Sequence, residues 1–168
     1  MISFVPLTPA AMWALVAGDV ARAGALAGVA LTPWMRSESW LWEIRARQVE
    51  QDPAAAEWVA RAAVADGRVV GHAGFHGPPD DEGRVEVGYS VDPAYRRRGF
   101  AKAMLAELIR RAEGDPRVRV VRASIRPDNE ASLATIAGFG FVKVGEQWDE
   151  EDGLEIVYER AVSGPGSR

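Results

Sequence analysis

The stretch Val85–Glu113 reads VEVGYSVDPAYRRRGFAKAMLAELIRRAE. It divides into strand, turn and helix. Arg84, Glu86, Gly88 and Ser90 alternate with Val85, Val87, Tyr89 and Val91, the period-2 pattern of a β-strand. Asp92-Pro93 interrupts it, because proline has no backbone donor and Asp-Pro favours a turn. Beyond the basic turn Tyr95-Arg96-Arg97-Arg98-Gly99-Phe100, the residues Ala101, Met104, Leu105, Leu108, Ile109 and Ala112 fall at helical spacing. Lys102, Glu107, Arg110 and Arg111 lie between them, which predicts an amphipathic helix. Gly114 suits its C-terminal cap and Pro116 prevents its continuation.

A strand that feeds a short basic turn and then a helix start makes an anion site. The first amides of a helix have no partner within it, and the helix dipole adds to their field. Gly99 permits a positive φ or a close backbone approach, Ala101 keeps the first helical turn slim, and three arginines add charge. This points to a phosphate or pyrophosphate ligand. A solvated basic turn, with a glycine needed for geometry alone, is the competing reading.

Arg96-Arg97-Arg98-Gly99-Phe100-Ala101 resembles the Arg/Gln-x-x-Gly-x-Gly/Ala signature of the GCN5-related N-acetyltransferases. Glu86 to Pro93 is similar to that family's fourth strand, and the likeness extends to Pro127-Asp128-Asn129-Glu130-Ala131-Ser132 and Gly138-Phe139-Gly140-Phe141. The resemblance covers most of Gly67 to Tyr158. It implies an α/β fold, a mixed and mostly antiparallel seven-stranded sheet flanked by helices on both faces, as in acyl-CoA N-acyltransferases. It also implies an acetyl-CoA-dependent N-acetyltransferase, with acetyl-CoA as co-substrate and a primary amine of a small molecule or protein as acceptor. The alternative is a non-catalytic acyl-CoA-binding sensor of the same fold.

Composition fits one soluble domain over residues 1–162 with a flexible tail over 163–168. The 168 residues carry a net charge of −4, which argues against nucleic acid as the main partner. With no cysteine there is no disulfide framework, thiolate zinc site or thiol nucleophile. The two histidines, His72 and His76, stand four residues apart on a strand candidate, so no metal is expected. No apolar run is long enough to span a membrane and no signal peptide is expected. A cytoplasmic location is therefore expected, and a homodimer stays open. Gly83 to Ser90 has P-loop spacing, but Tyr89 replaces the lysine and the stretch alternates as a strand.

Along the rest of the chain, Ile2–Leu7 reads as a strand, and Thr8-Pro9 as an N-cap and first helical residue. Asp19–Ala30 is ambiguous. Ser37 is expected to cap a helix from Glu38 to Gln51. Glu57–Ala65 and Arg68–Phe75 read as strands joined by Asp66-Gly67, a strong hairpin signal. Arg117–Ile125 reads as a strand parallel to the Val85 strand, followed by a helix to Ala137 capped by Asp128 or Asn129. A hairpin around Asp149–Gly153 closes the chain.

The resemblance assigns the pyrophosphate to Arg96, Arg97, Arg98, Gly99, Phe100, Ala101 and Lys102. It places the pantetheine arm along Tyr89, Ser90 and Val91, with the Val85 strand splaying from the Arg117 strand after Gly88, and puts Asn129 near that arm. It makes Glu86 the first candidate for general base, with burial expected to raise its pKa. His72 is the second candidate, although a structural histidine is the simpler reading, and His76 near its turn carries little weight. Many relatives use a tyrosine to reprotonate the sulfur, at the position held here by Ile136. Ser132 or an ordered water is then left for that role. Trp34, Trp40 and His72 line an acceptor pocket, or the tryptophans merely pack a helix on the sheet. The acidic turns Asp80–Glu82 and Asp149–Asp152 attract a cationic acceptor or are simply solvated.

Overall fold

A computed structural model describes residues 1–163. The expected flexible tail, apart from Ser163, lies outside the described residues. The chain runs β1 (Ile2–Pro6), α1 (Pro9–Val16), α2 (Val20–Ala27), α3 (Ser39–Gln51), β2 (Arg61–Ala65), β3 (Arg68–Phe75), β4 (Arg84–Val91), α4 (Phe100–Glu113), β5 (Val120–Ile125), α5 (Glu130–Ile136), β6 (Val142–Asp149) and β7 (Gly153–Ala161). The seven strands form one sheet in the order β1-β2-β3-β4-β5-β7-β6. Every neighbouring pair is antiparallel except β4 and β5. That parallel pair needs a crossover, which α4 supplies.

Helix α4 follows from its stripe. Met104, Leu105, Leu108, Ile109 and Ala112 are buried, and the helix lies against β1, β3 and β4. Helix α5 packs on α4 on the same side. On the other face α1 holds α2 and α3, and the Trp42 ring of α3 meets His72 of β3 edge-on. Strand β3 is therefore covered on both sides, and residues 69–75 are all buried. Asp66 and Gly67 both take positive φ, the backbone a two-residue hairpin turn requires. No helix among the described residues is long and apolar enough to cross a membrane.

The differences from expectation are local. Ser37 does not cap α3. Its hydroxyl donates to the Trp34 carbonyl (2.6 Å) within a 3-10 turn over Pro33–Glu38, so the helix starts at Ser39. Residues Pro53–Glu57 form another 3-10 turn, capped by Asp52, which delays β2 to Arg61. The Asp115 side chain holds the Arg117 amide at 2.9 Å, and β5 begins only at Val120. The ambiguous segment is α2, with Asp19 accepting from the Arg22 amide and Gly28 in the left-handed region.

The feature that positions the site is a fork. Strands β4 and β5 pair only through Arg84–Glu86 and Val120–Arg122, whereas β4 continues to Val91 and β5 to Ile125. The splay thus opens after Glu86, two residues earlier than expected. The Glu86 carbonyl accepts from the His76 amide and the Asp92 amide donates to the Val70 carbonyl, both towards β3. By strand alternation, the backbone groups of Val87, Tyr89 and Val91 face the opening.

Candidate active site

A cleft of about 980 Å³ lies along the fork. Its floor is β4 from Glu86 to Ser90, with Ala123, Ser124 and Ile125 of β5 opposite and Asn129 and Ser132 at one side. Trp40, Ile44 and Arg45 of α3 and the β6–β7 hairpin, with Trp148 to Asp152, form the walls.

At one end β4 runs into the basic turn. Arg97 and Gly99 both have positive φ (64° and 81°), which turns the chain sharply into α4. Only glycine adopts that conformation without strain at Gly99, and a side-chain carbon there would meet nothing within 4 Å. The space beside Gly99, where the chain enters α4, is therefore open. Asp92, the turn's own carboxylate, points elsewhere, accepting from the Ala94 amide at 2.9 Å. Arg96 donates through Nε to the Val91 carbonyl (3.3 Å), and the Arg98 guanidinium lies over the Tyr95 ring (5.6 Å to its centroid). Phe100 packs edge-on against the same tyrosine, Ala101 is half-buried and Lys102 is exposed. An extended unpaired edge leading to a cationic helix start suits an amide-bearing chain that ends in a diphosphate. These residues fit a coenzyme A molecule.

At the other end Glu86 lies at the fork. Ser124 Oγ donates to its Oε1 at 3.0 Å and is itself held by Gln147 Nε2 at 3.1 Å. His76 Nδ1 lies 2.7 Å from Oε2. Burial pushes the Glu86 carboxyl up, but the hydrogen bond and charge of His76, the Ser124 hydroxyl and the Arg122 charge outweigh it. The carboxyl therefore sits below its ordinary pKa. This corrects the expectation that burial would raise it: the partners decide the sign.

His72 and Ser90 pair in register, so their side chains share the Glu86 face. His72 Nε2 lies 3.1 Å from Glu38 Oε2, beneath the stacked Trp34 ring and beside the Trp42 edge. Trp34 is thus a lid on a histidine, whereas Trp40 stands 55% exposed on the cleft wall. Burial pushes the Glu38 carboxyl up, yet His72, Ser90 and Arg96 bring it below its ordinary pKa. Asn129 accepts from the Ser132 amide (3.1 Å) as the N-cap of α5. Tyr89 points to that helix; burial raises its pKa, and hydrogen bonds with Ser132 and Thr135 partly offset the rise. Ile136 is buried in the core. The residue to which sequence reasoning gave little weight, and which the structure sets against Glu86, is His76. Its signal was the register, since the Phe75–Val87 pairing sets His76 opposite Glu86. The Gly77–Gly83 turn does not reveal that register from its length.

Among the described residues no group of three or more His, Cys, Asp or Glu side chains is arranged to hold a metal ion. The model of the acetyltransferase (GNAT) family matches residues 25–141. The chain is 39% identical over 83 residues to the N-alpha-acetyltransferase RimI of Mycobacterium tuberculosis, covering 47% of this chain and 49% of that one. It is 32% identical over 74 residues to the uncharacterized N-acetyltransferase YjdG of Bacillus subtilis, covering 44% of each. The chain thus spans about half the length of the curated relatives it matches. Among solved structures, the ribosomal-protein alpha-N-acetyltransferase RimL in complex with coenzyme A aligns with a TM-score of 0.68 at 15% identity, over 98% of this chain and 96% of that one. A family model that matches more than half of the chain, together with a seven-stranded sheet forked between β4 and β5, makes this protein a member of the GNAT acetyltransferase family.

Proposed function

We propose that the protein transfers the acetyl group of acetyl-CoA to a primary amine. The observation that carries this reading is the continuous track from the fork to α4. The β4 edge beyond Glu86, which has no ladder partner on β5, leads directly to the positive-φ turn at Arg97–Gly99. The β4 edge takes the pantetheine amides as an added strand would, with Tyr89, Ser90, Val91 and Asn129 along its course. The amides opening α4, with Arg96, Arg97, Arg98, Gly99, Phe100, Ala101 and Lys102 around them, hold the pyrophosphate. Acetyl-CoA supplies the activated acyl group. A free amide of this edge polarises the thioester carbonyl, and holding donor and acceptor together supplies much of the rate.

Glu86 and its partners at the fork handle the acceptor's proton. Ser132, which lines the cleft beside Asn129, donates a proton to the departing sulfur in place of the tyrosine that Ile136 excludes. The acceptor enters from the opposite mouth, past Trp40 and Trp148. That mouth carries Asp149, Glu150, Glu151, Asp152 and Glu155 against Arg45, a charge balance that favours an ammonium group. RimI is named an N-alpha-acetyltransferase, so peptide amines belong in the acceptor panel beside small ones.

Calorimetric titration with CoA tests the anion end. Arg98→Ala and Gly99→Asp are each expected to weaken binding roughly tenfold or more, since charge-assisted contacts contribute about 1.5–3 kcal/mol. Unchanged affinity in both variants removes the pyrophosphate assignment. Thiol release from acetyl-CoA against the amine panel tests transfer. CoA binding with no release by any amine identifies a sensor instead.

A further inference from the structure

We propose that His76 Nε2 is the atom that accepts the acceptor amine's proton, and that Glu86 is a positioning residue acting through His76. The inference rests on the transferase reading and assigns its proton acceptor.

His76 is held on several sides. Its amide donates to the Glu86 carbonyl (2.8 Å), and its own carbonyl accepts from Gln48 Nε2 (2.7 Å) and Arg45 (3.3 Å) of α3. The backbone is thus tied to both β4 and α3, and the ring is set against Glu86. A carboxylate only accepts hydrogen bonds, so Nδ1, 2.7 Å from Oε2, carries the proton. The lone pair of the neutral ring is then on Nε2. This atom stands over Gly88, 3.0 Å from where a side-chain carbon on that residue would sit. Gly88 is the strand position between Val87 and Tyr89, whose backbone groups face the fork. A bare Gly88 makes room for an imidazole directly above the track assigned to the thioester.

Glu86 is poorly placed to be the base itself. Both of its oxygens are engaged, one by Ser124 and one by His76, and its carboxyl is held below its ordinary range. The same features suit a carboxylate that fixes a tautomer and stabilises an imidazolium. The charged groups around the ring are Arg45 from α3, Glu86 from β4 and Arg122 from β5, the last bound to Glu159 of β7 at 2.6 Å. Asp149–Asp152 and Glu155 line the same cleft from the β6–β7 hairpin. The other histidine on this face cannot serve, because His72 Nε2 is taken by Glu38 and its side chain is only 8% exposed, against 45% for His76.

The step balances without another reactant. An ammonium acceptor gives one proton to Nε2, and the freed nitrogen lone pair forms the C–N bond as the C–S bond breaks. The nitrogen's second proton passes through water in the cleft to Ser132 as Ser132 hands its own proton to the sulfur, so the serine hydroxyl is restored. His76 returns its proton to water through the open mouth. The products are an amide, CoA thiol and one released proton.

The test measures thiol release against pH for wild type, His76→Ala, His76→Gln, Glu86→Gln and Gly88→Ala, with CoA affinity measured separately. His76→Ala and His76→Gln are expected to lower kcat about 10²–10⁴-fold at neutral pH and to lose the acid limb of the profile. CoA affinity should change less than about threefold. Added imidazole should partly restore His76→Ala, an effect that a merely structural histidine would not show. Glu86→Gln should displace the acid limb without abolishing it. Gly88→Ala should lower kcat by moving the ring while His76 is intact. Nitrogen NMR of histidine-labelled protein gives a readout that needs no turnover: His76 should be protonated at Nδ1. An active wild type whose His76 variants keep their rate and acid limb, or a ring protonated at Nε2 alone, overturns this step only. A wild type that binds CoA and acetylates no amine overturns the transferase reading and this step with it.

Discussion

Two glutamate–histidine pairs lie on one face of the sheet, four residues apart along β3 and its extension. In the first, Glu38 reaches His72 from the 3-10 turn before α3, under Trp34 and against Trp42. In the second, Glu86 reaches His76 from the neighbouring strand, at the edge of an open cleft. The pairing chemistry is the same and the surroundings are opposite. Two aromatic rings cover the first imidazole and its outward nitrogen is spent on the glutamate. The second directs its inward nitrogen to the glutamate and leaves the other over Gly88. The difference teaches that burial and the choice of ring nitrogen separate a packing element from a proton-transfer element.

The comparison breaks most visibly if both histidines respond alike to removal. His72→Ala is expected to cost about 2–4 kcal/mol, since it leaves a cavity under two aromatic rings and a half-buried carboxylate without its partner. In a chain of this size each kcal/mol lowers the thermal midpoint by roughly 2–4 °C, which calorimetry or a melting curve reads. The pH–rate profile of the folded protein should keep its acid limb, in contrast to the His76 variants. A His72 variant that melts like the wild type would remove the packing role.

The glutamates offer a second contrast, this time in stability. Both Glu38 and Glu86 have folded pKa values below the ordinary one, with burial opposed by their histidines and neighbouring groups. Their contribution is full above about pH 4.3, the unfolded value, and is lost as pH falls through the folded values. Glu38→Gln is expected to cost about 1.5–3 kcal/mol near neutrality and to flatten the acid side of the stability curve. Glu86→Gln should flatten it too, and should also shift the rate profile, which Glu38→Gln leaves in shape. Denaturant midpoints across pH 3–7 (about one unit below the unfolded glutamate value and well above it) separate the two.

The smallest effect sharpens the account of the lid. Trp34→Leu keeps an apolar cover but loses the stacked geometry over His72, 5.5 Å between ring centroids. A loss of about 0.5–1.5 kcal/mol is expected beyond the change in buried area. A loss in acceptor affinity without a change in stability would instead restore Trp34 to the acceptor pocket.

These pairs also mark where the sequence was legible. The alternation from Val85 to Val91, the stripe from Met104 to Ala112 and the Asp66-Gly67 turn each carry a local period or a backbone demand, and each element formed within a residue or two of its expected place. Ser37 was misread because its hydroxyl found the Trp34 carbonyl inside a 3-10 turn, a choice no cap signal distinguishes. The start of β2 was misread because Pro53–Glu57 coils before the chain extends. His76 was undervalued for a deeper reason. Its role arises from cross-strand register, which depends on the path of a seven-residue turn and on Asp80 holding the Glu82 and Arg84 amides. The lowered pKa of Glu86 was equally out of reach, since it depends on three partners, two on β5 and one just after β3.

The fork has one more consequence. An unpaired strand edge is a template for any extended chain, and such edges invite aggregation when they face bulk water. Here the bare rungs of β4 lie inside the sheet, between α3 and the β6–β7 hairpin, instead of at its rim. Another protein's strand would have to thread that gap sideways, whereas a slender flexible arm can enter lengthwise. The recess thus works as a sieve on cross-section, admitting a thin guest and refusing the β-strand it imitates.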